Sequence, residues 1–472
     1  MTTKDKTAGS FNYVTQYTCD KNNTLASTTY PTGRTIPYGL DQTGRVTQVG
    51  TTLNGNPKTL ASGISYLPYG GVTNLTFGNS LSLSHGYDNQ YRTSSITVGS
   101  VLDRTYCYDA NGNITCIDDA DPPGNEVSEN AGAYTYQQAT NKLTQVQGEL
   151  NVVYGYDANG NITSANSRTF TYDLSNRLIK VEDNGVTIVE YVYNALNQRI
   201  KKILPAETRI FHYDIMGHLI AETSATGQTL VEYFYFGDQP LAMIRPQEAL
   251  YYYHNDHLGT HQILTDDIGA VSWKAVYTPF GEAEISVQTV ENPFRFPGQY
   301  YDQETGLHYN WNRYYDPKTG RYLTPDPIGL DGGINIFIYV GNNPTGSVDP
   351  SGLVAAIGDP RFGCPPGMIC LDPGPPNPNY EPPPSGTECK SPYDECIDNA
   401  RKFRTLCDKL FWGARAGCAA LCAIACIGSG PAYFSCFASC AWACYRGFAI
   451  GQRGCFATYI VMVEACKYQY RR

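Results

Sequence analysis

The sequence predicts a mostly β protein: a long antiparallel sheet of repeated hairpins, then a proline-rich linker and a small cysteine-rich α-helical hairpin. Three observations predict it. The segment Tyr108-Asp109-Ala-Asn-Gly112-Asn113-Ile114-Thr115 returns unchanged as Tyr156-Asp157-Ala-Asn-Gly160-Asn161-Ile162-Thr163. The stretches between such copies alternate apolar and polar residues, the period of a strand with one buried face. Composition then changes abruptly at Asp349-Pro350-Ser351-Gly352-Leu353: the residues before and including it hold 3 of the 16 cysteines, all 7 histidines and 31 of the 38 tyrosines. The 119 residues after it hold 13 cysteines and no histidine.

The chain of 472 residues exceeds one ordinary domain. Its net charge of −10 divides into −13 through Leu353 and +3 beyond. Phosphate repels an acidic surface, so no nucleic acid is expected as partner of the first part. The first ten residues contain no apolar stretch of signal-peptide length, and no run of 18 apolar residues occurs. The expectation is a secreted, exported or cell-surface protein, moved by a route without an N-terminal signal peptide in this chain.

Looser repeats are Tyr87-Asp88 to Arg92, Tyr172-Asp173 to Leu178, Tyr193-Asn194 to Ile200, Tyr213-Asp214 to Ile220 and, earlier, Leu40-Asp41 to Val46. The frame is Tyr-Asp-x-x-Gly/Asn-x-hydrophobic. Asn and Gly supply the positive φ of tight turns. Thr187–Tyr193 and Thr229–Phe236 read as flanking strands with one buried face. Tyrosine suits them because its ring packs on a neighbouring strand while its hydroxyl finds a partner. One hairpin cannot bury its apolar face alone, so the copies must join in one sheet.

These Tyr-Asp copies, with a run of motifs from Tyr251 onward, resemble the RHS/YD-repeat proteins. The motifs are Tyr252-Tyr253-His254-Asn255-Asp256-His257-Leu258-Gly259, Tyr277-Thr278-Pro279-Phe280-Gly281, Thr305-Gly306-Leu307-His308-Tyr309-Asn310, Arg313-Tyr314-Tyr315-Asp316-Pro317, Asp326-Pro327-Ile328-Gly329-Leu330 and the closing Asp349-Pro-Ser-Gly-Leu353. They resemble the RHS repeat-associated core. The resemblance implies a spiral antiparallel sheet, a partial cocoon of teneurin-like YD repeats over residues 1–250. The core, residues 251–353, closes it. In toxin-related members the core is a self-cleaving aspartyl protease that releases a C-terminal cargo. Asp326 and Asp349 match its two aspartates, and the cut would fall between Leu353 and Val354. A closed cocoon needs more repeats than this chain holds, so the shell is expected to be open or completed by another chain.

Two carboxylates held close are a reasonable peptide-cleaving pair, because one retains a proton while the other activates water. Asp-Pro-x-Gly is equally a turn, with proline setting φ and glycine reversing the backbone. Arg321 is a candidate to orient a carboxylate, or a simple salt-bridge partner. His254, Asp256, His257 and His261 allow a metal reading, but their spacing is loose and turn and core packing account for them. Trp273 and Trp311 read as shell core. No cofactor and no metal are expected.

Residues 354–388 are a polyproline-like linker. In residues 389–472 ten cysteines form a palindrome about Pro431. Pairing from the outside inward gives Cys396–Cys466, Cys407–Cys455, Cys418–Cys444, Cys422–Cys440 and Cys426–Cys436, five disulfides stapling two antiparallel helices that meet at Gly428-Ser-Gly-Pro431. Free core cysteines and a thiolate zinc site are the alternatives. No charge occurs between Arg415 and Arg446, so membrane contact by this tail is a second reading beside a buried hairpin core. Without histidine the tail has no Ser-His-Asp or Cys-His chemistry, and no turnover enzyme is evident. The reading is a carrier that encloses and cuts itself from a C-terminal toxin- or effector-like cargo, with an immunity protein and a capping or translocating chain as further partners. The alternative is a non-enzymatic adhesion or display module with an uncleaved tip.

Overall fold

The computed structural model describes residues 2–357, apart from 9–10, 23, 69, 111, 120–131, 139 and 354. The linker expected over residues 354–388, apart from 355–357, and the helical hairpin with five disulfides expected over residues 389–472 lie outside the described residues.

The strands follow one another as an antiparallel meander, each bonded to the next in sequence. Eleven strands, β1 (Thr2–Ala8) to β11 (Ile114–Asp119), form the first sheet, and sixteen, β12 (Ala133–Tyr136) to β27 (Ala283–Gln288), form the second. A four-stranded sheet follows, β28 (Tyr300–Asp302) to β31 (Arg321–Tyr322), and then the pair β32 (Ser347–Val348) and β33 (Ala356–Ile357). Among the described residues no helix is long and apolar enough to cross a membrane.

The Tyr-Asp repeat is a hairpin with three linked parts. The aspartate Oδ1 of Asp41, Asp88, Asp173, Asp214 and Asp256 accepts the backbone N–H two and four residues on, at 2.8–3.0 Å. That closes an Asx turn. The reversing residue has positive φ, at Gly44, Gly112, Gly160, Gly217, Asn176 and Asn197. The tyrosine hydroxyl then reaches back to a carbonyl of the preceding strand pair: Tyr87 to Val72, Tyr108 to Thr93, Tyr172 to Ile162, Tyr193 to Leu178, at 2.5–3.0 Å. Where the turn ends in arginine, the cation pairs with its own aspartate and lies over the next repeat's tyrosine. Arg92 is 2.6 Å from Asp88 and 4.3 Å from the Tyr108 ring. Arg177 is 2.7 Å from Asp173 and 5.2 Å from the Tyr193 ring. Each repeat is thereby keyed to the next.

Burial divides the second sheet. The strand Val186–Tyr193 alternates buried and exposed residues, as its period predicts. The strand Thr229–Phe236 does not: Val231, Glu232, Tyr233, Phe234 and Phe236 are all buried. Phe234 and Phe236 pack with Leu60, Leu75 and Ile96 of the first sheet, whereas Val231 and Tyr233 pack with Phe294 and Tyr300 on the opposite face. The one-face expectation fails there because that strand is covered on both sides, as its almost unbroken apolar run allows.

The four-stranded sheet is fixed to the second by a buried charge cluster. Asp302, fully buried, is bonded by Arg199, by Lys202 Nζ at 3.0 Å and by the Tyr191 hydroxyl at 2.9 Å. Burial opposes its charge, but Arg199 and Lys202 outweigh that and hold its carboxyl below the usual range. The Arg199 guanidinium is itself enclosed by aromatic rings, with Tyr309 at 4.4 Å and Phe211 at 4.9 Å.

A cross-strand disulfide, Cys107–Cys116, links β11 to the preceding strand, Leu102–Tyr108, with Cα atoms 4.9 Å apart.

Candidate functional site

The two Asp-Pro-x-Gly turns meet against the four-stranded sheet. Asn310 ends its second strand and Arg313 begins its third, with Trp311 and Asn312 as the two-residue turn between them. Trp311 stands at φ 48° and its indole N–H donates to the Leu196 carbonyl at 3.0 Å. This turn aims Arg313 inward. Tyr322, from β31, lies under it, with the guanidinium carbon 3.6 Å from the ring centre.

Both aspartates are turn formers and paired carboxylates at once. Asp326 Oδ1 accepts the Ile328 N–H at 3.0 Å, and Asp349 Oδ1 accepts the Leu353 N–H at 3.0 Å. Each turn therefore uses one oxygen. The other points to Arg313: Nη2 is 2.9 Å from Asp326 Oδ2 and 3.4 Å from Asp349 Oδ2. Tyr322 donates its hydroxyl to Asp349 Oδ2 at 2.8 Å. Asn310 Nδ2 donates to the Asp349 carbonyl and to the Tyr322 oxygen, both at 2.8 Å. Arg313 completes its fork on the carbonyls of Gly352 and Ile336. All three charged side chains are nearly buried, at 2–3% exposure, so Coulombic coupling among them is much stronger than at a surface.

Burial pushes the Asp326 carboxyl up, against the pull of Arg313 and with a contribution from the neighbouring Asp349 charge. Burial likewise pushes the Tyr322 hydroxyl far up, so it stays a donor. The residue after the second turn, Leu353, is placed by its N–H on Asp349. Its carbonyl borders the Asp326 carboxylate: a β-carbon on Gly332 would stand 2.8 Å from Asp326 Cγ and 3.2 Å from the Leu353 oxygen. Asp326, Asp349 and Leu353 are thus brought together.

Sequence reasoning missed Arg313 and Tyr322. Arg321 does not serve the carboxylates; its guanidinium donates to the Asn141 carbonyl and lies 5.4 Å from the Phe337 ring. Arg313 carries the same motif signal as Arg321, and only the two-residue turn after Asn310 decides which one faces the pair. The histidines go to separate partners: His254 bonds Thr265 at 2.8 Å, His257 the Thr345 carbonyl at 2.9 Å, and His261 Asn255 at 2.7 Å, while Asp256 closes its turn. Trp273 is fully buried in the second core.

Comparison with known proteins agrees with this fold. Double-stranded DNA deaminase toxin A of Burkholderia cenocepacia strain H111 is 34% identical over 227 residues, 40% of this chain and 16% of that protein. Toxin protein Tse5 of Pseudomonas aeruginosa is 45% identical over 106 residues, 22% of this chain and 8% of that protein. The chain therefore spans only a small part of the length of these relatives. The crystal structure of TcdB2-TccC3-Cdc42 superimposes with a TM-score of 0.56 over 73% of this chain and 22% of that one, at 19% identity, a likeness of fold. The Teneurin YD-shell family model matches residues 72–332. A match across more than half of the 472 residues, on a long antiparallel meander of Tyr-Asp hairpins, places this chain in the Teneurin YD-shell family.

Proposed function

We propose that the shell is a carrier that encloses a C-terminal toxin- or effector-like domain and cuts itself from it between Leu353 and Val354. One observation carries the reading: each Asp-Pro-x-Gly aspartate closes its turn with one oxygen and turns the other to Arg313, beside the Leu353 carbonyl. Such placement gives an intramolecular reaction its main advantage, a fixed near-attack geometry. The arrangement divides the labour. Asp349 holds the peptide through the Leu353 N–H, and its second oxygen takes donors from Tyr322 and Arg313. Asp326, whose carboxyl burial pushes up toward the working pH, faces the carbonyl. It takes a proton from water as the water oxygen bonds to the Leu353 carbon. It then gives that proton to the Val354 nitrogen as the carbon–nitrogen bond breaks. The products are a carboxylate at Leu353 and an ammonium at Val354.

The toxin names of the relatives support the carrier reading, and the acidic first part supports exclusion of nucleic acid from the shell surface. Export to a target cell, an immunity protein and a capping or translocating chain belong to the same proposal. The test is a denaturing gel of the expressed full chain beside Asp326→Asn and Asp349→Asn. The proposal expects a fragment of residues 354–472 from wild type alone. An intact wild-type band rejects self-cleavage and leaves the display module.

A further inference from the structure

The seam holds the two sides of its scissile bond differently. On the Leu353 side, side chains of the turn from Asn310 to Arg313 grip the loop by its carbonyls. Asn310 Nδ2 donates to the Asp349 carbonyl at 2.8 Å, Asn312 Nδ2 to the Ser351 carbonyl at 3.0 Å, and Arg313 Nε to the Gly352 carbonyl. On the Val354 side the grip is main chain. Ala356–Ile357 pairs antiparallel with Ser347–Val348, Ser347 opposite Ile357 and Val348 opposite Ala356. The residue after Val348 is Asp349. The strand that leads into one carboxylate therefore also carries the chain beyond the cut. Residues 349–355 form a closed loop, with the scissile bond inside it and an anchor on each side. Among the described residues Ser347–Val348 pairs with no other strand.

We propose that Ser347–Val348 is a positioning strand for the cut: it binds the first residues beyond the scissile bond as an added strand and so fixes the Leu353–Val354 peptide against Asp326. The inference rests on the self-cleavage reading and adds what that reading requires of the sequence after Leu353. A chain held only up to Leu353 is free to turn the planar Leu353–Val354 peptide about the Leu353 Cα–C bond, which swings carbonyl and nitrogen away from the carboxylate. An anchor beyond the peptide stops that rotation, and fixed geometry is the main advantage of an intramolecular step. Strand addition reads main chain. The requirement is therefore an extended pair with a free N–H at 356–357, and not particular side chains. In an antiparallel ladder one of two successive pairs exchanges the hydrogen bonds, so either Ala356 or Ile357 supplies the N–H.

The test follows self-cleavage of the full chain by pulse–chase over a range of pH, with a thermal melt of each variant. The variants are wild type, the double change Ala356→Pro with Ile357→Pro, the double change Ala356→Thr with Ile357→Thr, and Asp326→Asn. The two prolines keep the segment extended and remove both N–H groups. The threonines change both side chains and suit a strand. The proline variant should cut about 100-fold more slowly. The loss should be even across pH and the melt unchanged, because the carboxylates and the shell are untouched. The threonine variant should cut at close to the wild-type rate. In uncut Asp326→Asn, the amide of Ala356 or of Ile357 should exchange about 10-fold more slowly than in an unstructured chain, the factor one net hydrogen bond supports. A wild-type rate in the proline variant would overturn the inference. So would a moved pH limb, which would place the damage at the carboxylates, an equal loss in the threonine variant, or free exchange at both amides. A wild type that stays whole, or an Asp326→Asn that cuts, would instead remove the self-cleavage reading beneath it.

Discussion

Replacing Asp302 by alanine should loosen the four-stranded sheet that carries the seam. Asp302 is fully buried, and it is the acceptor for Arg199, Lys202 and Tyr191. Arg199 has no other carboxylate partner among the described residues, and its side chain is 0% exposed. Lys202 keeps only Glu304, 3.2 Å away. Removal of the acid therefore leaves one buried cation unpaired and a second half-paired. Breaking a buried pair in this way costs about 3–5 kcal/mol. A domain of this size shifts by roughly 2 °C per kcal/mol, so the melting temperature should fall on the order of 5–10 °C. Tyr191→Phe removes one hydrogen bond to the same carboxylate and no charge, so it should cost about 1.5–3 kcal/mol. Replacing the whole set with Arg199→Met, Lys202→Met and Asp302→Leu should recover most of the loss, because apolar side chains of similar size need no desolvation of charge. The assay is calorimetric melting of the shell with the Asp349→Asn change in every variant, so that cleavage does not alter the unfolding unit. An Asp302→Ala melt within 1 °C of its parent, on the scale of surface changes, would show that the aromatic packing alone holds the sheet.

Two further outcomes follow from the buried groups. His85, His254 and His261 are held neutral, with values pushed down to about 4, about 3 and about 3 by burial, helped at His85 by His257 and at His261 by Arg295. A folded value below the unfolded value, about 6.5, means that stability is complete above pH 6.5. It is lost as pH falls from there toward 3–4, by up to about 1.4 kcal/mol per pH unit for each histidine. Melting temperature against pH should steepen below 6.5, and His254→Gln should flatten part of that slope. A melt independent of pH between 6.5 and 4.5 would contradict the assignment. Reduction of Cys107–Cys116, or its replacement by two serines, should cost about 2–3 kcal/mol for a loop of this length. The loss should be local: amide exchange should rise first in Ile114–Asp119, the edge strand of its sheet, and equal protection with and without the bond would refute this.

How far the sequence led depended on the range of each interaction. The turns of the Tyr-Asp hairpins were legible because each lies within eight residues: the Asx turn at Asp173, the positive φ at Asn176, and the ion pair to Arg177. The closeness of Asp326 and Asp349 was expected only through the resemblance to the family core, because an Asp-Pro-x-Gly turn alone says nothing of its partner. The choice of Arg313 over Arg321 was not, because it depends on the turn at Trp311, and no local pattern separates the two arginines. The double burial of Thr229–Phe236 depends on a first sheet far away in sequence. The disulfide was legible in principle. In each repeat the tyrosine pairs with the residue six ahead, as Tyr156 with Ile162 and Tyr172 with Leu178. The bulge then sets Cys107, one before Tyr108, opposite Cys116.

Whether the seam cuts its own chain is read most directly from the N-terminal sequence and intact mass of the fragments of the expressed full-length protein. Self-cleavage yields a small fragment beginning Val354-Ala355-Ala356 and a large one ending at Leu353, both missing from Asp326→Asn and Asp349→Asn. A chain that stays whole through denaturation, or a break at any other bond, would contradict it.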